Sequence, residues 1–150
     1  MKTSRLLGVA LIILEVAGIA LFLVCGQTTF SLLETVMPNG SGEIPISVDQ
    51  QTQIATLTFT FTPRNSGLIA ANVNVGFGVT LTDGSFTVKN ATTIYLPPGA
   101  EKDVSLTIRV PVDKLQAYAD AKGTLDIYTS IRTLNDLVRL DYNAKSEGGN

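Results

Sequence analysis

The sequence predicts an all-β domain, an antiparallel β-sandwich of about seven strands with one short helix, preceded by a single N-terminal transmembrane helix. Three observations predict it. The 19-residue stretch Leu6–Val24 is apolar apart from Glu15. Beyond residue 43, apolar side chains recur at every second position in several runs. Clusters of Pro, Gly, Asn and Asp separate those runs at short intervals.

A helix of 19 residues spans about 30 Å of hydrocarbon at 1.5 Å per residue. The apolar core of a secretory signal is shorter, about 7–15 residues, so length favours a retained anchor. Three alternatives stand beside it. A signal peptide could be cut before Gln27, because Val24 and Gly26 are small. A lipoprotein box around Cys25 is poorly formed, with Val24 where Gly, Ala or Ser belongs. A pilin-type leader would place Glu15 fifth in the mature helix, counting from Leu11, but Val9 stands where a charged residue should be. Lys2 and Arg5 precede the run and Gly26–Thr29 follow it without charge. The positive-inside rule then puts the N-terminus in the cytoplasm and the β domain outside, on a single-pass cell-membrane protein. The sequons Asn39-Gly40-Ser41 and Asn90-Ala91-Thr92 agree with that side and are the candidate N-glycosylation sites.

Glu15 sits near the middle of the apolar run. A charged residue there costs about 2.5–3.5 kcal/mol on insertion scales. Either the surrounding hydrophobicity tolerates it, or it makes a polar contact with a neighbouring helix. Gly8, Leu11, Glu15, Gly18, Phe22 and Cys25 recur at spacings of three and four. They form a candidate helix-packing face, since small residues and a polar group on one face are what helix association in lipid uses.

Residues 27–42 read as a linker or stalk. Ser31 and Glu34 have capping-box spacing, which leaves a very short helix, an extended stalk and a first strand all open. Pro38-Asn39-Gly40-Ser41-Gly42 is a turn or hinge. In 54–62, Leu57, Phe59 and Phe61 alternate with threonines, the pattern of a strand with one buried face. Pro63–Gly67 breaks it. Ile69, Ala71, Val73, Val75, Phe77, Val79 and Leu81 then occupy every second position. A helix would scatter these residues around its circumference, so a strand is predicted, with Val73, Val75 and Phe77 inside and Asn72 and Asn74 outside. Gly76 and Gly78 suggest a bend or bulge within it.

Asp83-Gly84 is a hairpin-type turn. Phe86 and Val88 begin one strand and Ile94 and Leu96 carry another, before Pro97-Pro98-Gly99 stops the chain. Val104 to Val110 alternate cleanly. Residues 112–122 read as a short helix with Leu115 and Tyr118 inward. Strands around Leu125–Ile131 and Val138–Tyr142 complete an immunoglobulin-like sandwich of ordinary size, ~100 residues. The expected organisation is an anchor over 1–26, a linker over 27–42, the sandwich over 43–143 and a frayed polar tail over 144–150.

Composition narrows the chemistry. With no histidine anywhere, Ser-His-Asp and Cys-His catalysis and the usual zinc sites are excluded. The lone Cys25 lies at the end of the apolar run and allows no intrachain disulfide. No basic run is present, so no nucleic-acid partner is expected. Gly76-Phe77-Gly78 lies in a strand pattern and lacks the helix that a phosphate loop requires. Asp113, Asp120, Asp126, Asp136 and Asp141 are scattered over the helix, strands and turns, as solvated surface acids are. A carboxylate-based enzyme is the weakest reading. No cofactor, metal or small-molecule substrate is evident.

Residues 44–142 resemble the type 2 late-embryogenesis-abundant, or water-stress-and-hypersensitive-response, domain, small membrane-anchored versions of which occur in archaea. The resemblance rests on TLTFTFTPRNSG at 56–67, the alternating strand 68–81, YLPPGAEKDVSLTIRVP at 95–111 and TSIRTLNDLVRL at 129–140. The family's Asn-Pro-Asn turn is here Pro63-Arg64-Asn65. The resemblance implies a seven-stranded sandwich with a short helix, no catalytic site, and a role in stress protection or macromolecular interaction. It transfers no functional residue. The function expected is therefore binding or structural, at the cell envelope, with the lipid bilayer contacted through 6–26 and other membrane or envelope proteins as partners. The alternative is an accessory subunit of a membrane complex or surface filament, assembled through the helix.

Overall fold

The computed structural model describes residues 2–36 and 44–148, so the expected hinge at 38–42 and Asn39 lie outside the described residues. The first element, α1, is one unbroken helix over Lys2–Val36. Residues 27–36 thus continue the helix where a linker was expected. Local propensity alone does not favour this, because Thr, Phe, Ser and Val are middling helix formers. Burial decides it. Cys25, Thr28, Leu32 and Val36, spaced by three, four and four, are all buried, and Leu32 and Val36 belong to the core of the sandwich. The hydroxyls of Ser31 and Thr35 are satisfied within the helix, whereas the buried Thr28 hydroxyl has no hydrogen-bond partner among the described residues. Ser31 donates to the Thr28 carbonyl at 2.9 Å, and Thr35 lies 3.1 Å from the Leu32 carbonyl.

Seven strands follow: β1 (Ile46–Asp49), β2 (Ile54–Phe61), β3 (Ala71–Leu81), β4 (Thr87–Leu96), β5 (Val104–Pro111), β6 (Gly123–Thr133) and β7 (Val138–Glu147). They form two antiparallel sheets, β1-β2-β5 and β4-β3-β6-β7. Helix α2 (Val112–Ala117) and a wider π turn (Tyr118–Lys122) connect β5 to β6. Leu115 and Tyr118 pack against the core, as their spacing predicted.

The strand count of seven agrees with the prediction, but its composition differs. The two short strands expected at 86–88 and 94–96 are a single β4, held by ten consecutive pairings with β3. β1 was not anticipated. It is four residues long and exposed on both faces, and the brief alternation of Ile46 and Val48 with Ser47 and Asp49 is all that marks it in the sequence. The expected tail is strand as far as Glu147, because Ala144 to Glu147 pair with Ile127 to Thr124. Gly76 and Gly78 produce no bulge, and β3 keeps regular register on both sides. The reason for Gly76 lies across the sheet: a Cβ there would strike the ring of its cross-strand neighbour Tyr128.

The inner faces meet as the alternation requires. Leu57, Phe59 and Phe61 of β2 and Leu106, Ile108 and Val110 of β5 face Val73, Val75, Phe77 and Val79 of β3. Val73, Val75 and Phe77 are fully buried, whereas Asn72 is exposed and Asn74 half-buried on the opposite face. The Phe59 ring lies 5.3 Å from Phe61 and 5.8 Å from Phe77, centroid to centroid. The four-stranded layer is wider than its three-stranded partner. The last turns of α1 lie against β6 and the start of β7, where the smaller sheet has no strand to offer.

Asn65 fixes the loop between β2 and β3. It is fully buried. Its side-chain amide donates to the carbonyls of Ile69 (2.8 Å) and Leu96 (2.9 Å), and its Oδ1 accepts from the Gly67 N–H at 3.0 Å. Its backbone bonds Gly99 at 2.7 Å and Ala100 at 2.9 Å. The turn after β4 is thereby tied to the loop that meets α1. The β6–β7 turn is built differently: Leu134, Asn135 and Asp136 all have positive φ, at 51°, 52° and 70°. Non-glycine residues in that region cost about 1–3 kcal/mol each, so surrounding structure holds the turn.

Two stability predictions follow from this packing. Phe77→Ala should destabilise the domain by about 3–5 kcal/mol in denaturant unfolding of the detergent-solubilised chain. A loss below about 1 kcal/mol would contradict the central place of β3. Asn65→Ala should cost about 3 kcal/mol or more, because it orphans one buried N–H and two carbonyls at about 1–3 kcal/mol apiece. An Asn65→Ala protein as stable as the parent would mean that water replaces all three bonds.

Candidate functional site

The most constructed part of the molecule is the seat that receives α1. Gly67 lies directly against Thr28, and a Cβ at Gly67 would collide with the Thr28 hydroxyl, Cβ and backbone. The Thr35 hydroxyl accepts a hydrogen bond from the Arg64 N–H at 3.0 Å. The segment 64–67 therefore runs antiparallel to the helix, matched at two points. Burying Leu32 and Val36 there contributes about 1.5–3 kcal/mol per side chain.

The predicted packing face divides at this seat. Cys25 is 2% exposed and turns into the protein's own domain. Gly8, Leu11, Glu15, Gly18 and Phe22 are exposed along the helix, and nothing lies within 4 Å of a Cβ placed at Gly8 or Gly18. Their three–four spacing continues through Gly26, Thr29 and Leu33. These three residues, with Phe22, Cys25, Phe30, Val138, Arg139 and Leu140, line an apolar groove of about 240 Å³. The face that would meet another helix thus runs without interruption onto the domain. α1 is the one helix among the described residues that is long and apolar enough to cross a membrane.

A second feature lies on the outer face of the larger sheet. Asn72, Asn74, Thr93, Ser130, Arg132 and Asp136 line an open polar cleft of about 280 Å³. Register explains the grouping: Asn72 pairs with Arg132 and with Tyr95, and Asn74 pairs with Ser130 and Thr93. Asn74 Nδ2 donates to Thr93 Oγ1 at 2.7 Å. The Arg132 guanidinium reaches Asp136 at 3.8 Å, while its buried Nε has no partner. Amides, hydroxyls and a guanidinium on a flat sheet suit polar, hydrogen-bonding ligands such as peptide or glycan surfaces.

The scattered acids stay scattered. Asp113 pairs with Lys114 (3.7 Å), Asp126 with Lys145 (3.7 Å) and Asp141 with Arg139 (2.8 Å). The Arg139 guanidinium, helped by the Ser130 hydroxyl, holds the Asp141 carboxyl below the usual aspartate range. Asp83 is lowered chiefly by the Ser85 N–H, and Asp49 by the Thr52 hydroxyl. Asp120 is exposed. Among the described residues no three His, Cys, Asp or Glu side chains converge as metal ligands would. Of the two sequons, Asn39 lies outside the described residues. Asn90 is exposed on β4, where its Nδ2 donates to the Thr107 carbonyl at 2.8 Å.

Sequence reasoning found the helix face but missed the seat. Thr28, Leu32 and Val36 do carry a helical signal, since they extend the spacing of Cys25. Gly67 and Asn65 read only as turn residues, because their function depends on chain segments distant in sequence.

No protein-family model matches the chain, and no curated protein does. Among solved structures, it is similar to a β-glucuronidase of Bacteroides uniformis at 19% identity and a TM-score of 0.49. That match covers 75% of this chain and 14% of the glucuronidase, so the chain spans a small fraction of that enzyme's length. A putative ApaA protein from Bordetella pertussis aligns at 15% identity and a TM-score of 0.42, over 69% of this chain and 90% of that one. A protein from Archaeoglobus fulgidus aligns at 10% and 0.40, over 70% and 91%. At such identities and scores these likenesses assign the chain no activity, substrate or partner.

Proposed function

We propose that this protein is a non-enzymatic binding or structural module of the cell envelope, anchored by α1 with its sandwich outside the cytoplasm. The observation that carries this reading is the continuity of α1. The helix that bears the apolar run also supplies Leu32 and Val36 to the core. A domain mounted this way is held in one orientation to its anchor, as suits a module that presents a surface. The polar outer face of β3 and β6, whose cleft around Arg132 lies at the end nearest the anchor, is the surface we assign to binding. The buried Asn65 and the Pro97–Gly99 turn it secures support the likeness to the late-embryogenesis-abundant type 2 domain, since both fall in stretches that carry that resemblance. The burial of Cys25 within an unbroken helix supports retention of the N-terminal segment.

A second reading, assembly into a membrane complex through the helix, is favoured by the bare face Gly8–Phe22 and its continuation into the groove beside β7. An interhelical hydrogen bond in lipid contributes only about 0.6–2 kcal/mol, so packing along the whole face would have to supply the rest.

Two experiments test these readings. The intact chain should resist carbonate extraction from membranes, and protease added outside cells should digest its β domain. A soluble mature chain beginning at Gln27 would defeat the anchor. Glu15→Leu should leave insertion intact while weakening association in mild detergent. If Glu15→Leu and Gly18→Leu both leave the oligomeric state and the co-purifying proteins unchanged, the helix serves as an anchor alone.

A further inference from the structure

Outside α1, the two most exposed leucines are Leu137, 83% exposed in the β6–β7 turn, and Leu68, 66% exposed in the β2–β3 loop. Neither belongs to the core or packs on it. Both lie beside the seat of α1. Leu68 follows Gly67, which touches Thr28. Leu137 precedes Val138, which shares the apolar groove with Phe22 and Cys25. Ala71 pairs with Thr133, so the two loops lie at the same end of the larger sheet.

Their level along the helix axis can be reckoned. The apolar run ends at Val24. Thr28 is four residues further on, about 6 Å at 1.5 Å per residue. The polar interfacial layer on each side of the hydrocarbon is about 5–7 Å thick. Gly67 therefore stands within that layer, and Leu68 can differ by no more than one Cα–Cα step, about 3.8 Å. The groove that holds Val138 runs from Phe22, just inside the hydrocarbon edge, to Leu33, about 14 Å beyond it, and the pairing of Ala71 with Thr133 sets the β6–β7 turn at the same end of the sheet as Leu68. Two further side chains lie near this level, the Cα of Phe30 being about 9 Å beyond Val24 with its side chain tilted back toward the helix N-terminus. Phe30 is 70% exposed on α1, and Tyr95 is exposed opposite Asn72, near the end of β4. Aromatic residues of this kind favour membrane interfaces.

We infer that this end of the sandwich is immersed in the lipid interface, with Leu68 and Leu137 inserted beside the anchor. The inference rests on the reading of α1 as a retained membrane helix. The lipid contact is apolar. The three arginines of this region each face a carboxylate: Arg64 with Glu101 at 3.9 Å, Arg132 with Asp136 at 3.8 Å and Arg139 with Asp141 at 2.8 Å. Neutral and anionic bilayers should thus serve equally. The strained β6–β7 turn acquires a purpose, because it projects a leucine that the core does not use.

The chain contains no tryptophan, so a single introduced one reports its own surroundings. Leu68→Trp, Leu137→Trp and, as a control at the far end of β3, Ser85→Trp are made in the full chain and reconstituted into phosphatidylcholine vesicles, with and without phosphatidylglycerol. Vesicle flotation is measured first. Lipid brominated near the headgroup should then quench Leu68→Trp and Leu137→Trp at least about twofold more than Ser85→Trp, with less quenching by aqueous iodide. Equal results with both lipid mixtures are expected. Iodide quenching as strong as in the control, on protein that floats with the vesicles, would overturn the immersion and leave the anchor standing. Blue-shifted emission that bromolipid does not quench would also overturn it, placing the leucines against protein. Failure to float would overturn the anchor and the immersion together.

Discussion

Leu32 and Val36 belong to the sandwich core and to the same helix as the apolar run Leu6–Val24, and most of the architecture depends on that double membership. A domain joined to an apolar helix by a flexible linker could adopt many orientations. Here the connection is rigid helix until its side chains are inside the core. The orientation of the β domain to the helix is therefore a property of packing. The helix also covers β6 and the start of β7, which a three-stranded sheet leaves exposed, so it completes the sandwich it carries.

The seat is held by groups that carry no chemistry of their own. Gly67 permits the helix backbone to come close, and Asn65 holds the loop that contains Gly67. The amide of Asn65 satisfies a buried N–H and two buried carbonyls, which would each be costly to leave unpaired. One side chain thus sets the shape of the β2–β3 loop, links it to the turn after β4, and fixes where the helix can lie. A polar residue in the core is tolerated because all of its bonds are made within the fold.

Charge is organised differently from apolarity on this molecule. Acidic groups are spread, five of them in ion pairs with basic neighbours, and among the described residues they do not gather into a metal-binding cluster. Exposed apolar groups instead collect along α1 and around its exit from the domain. The polar face of β3 and β6 offers hydrogen-bonding groups at regular sheet spacing. Together these features describe a domain with one apolar end and one polar sheet face.

The sequence by itself determined whatever depends on periodicity. The alternation from Ile69 to Leu81 set the inner face of β3, and the apolar length of Leu6–Val24 identified a helix able to span a membrane. Tertiary structure decided the rest, because the partners that hold those features lie far away in the sequence. Residues 27–36 are helical because Leu32 and Val36 find a core to enter, which propensity does not foresee. β1 exists only as the partner of β2. Gly76 answers to a tyrosine on another strand, and Gly67 to a threonine some forty residues earlier in the chain. The candidate packing face was legible as a spacing of small and polar residues. Only the fold showed that Cys25 is buried against the domain while the face runs on through Phe22 and Gly26 into the groove beside β7, because that groove is closed by segments more than a hundred residues apart.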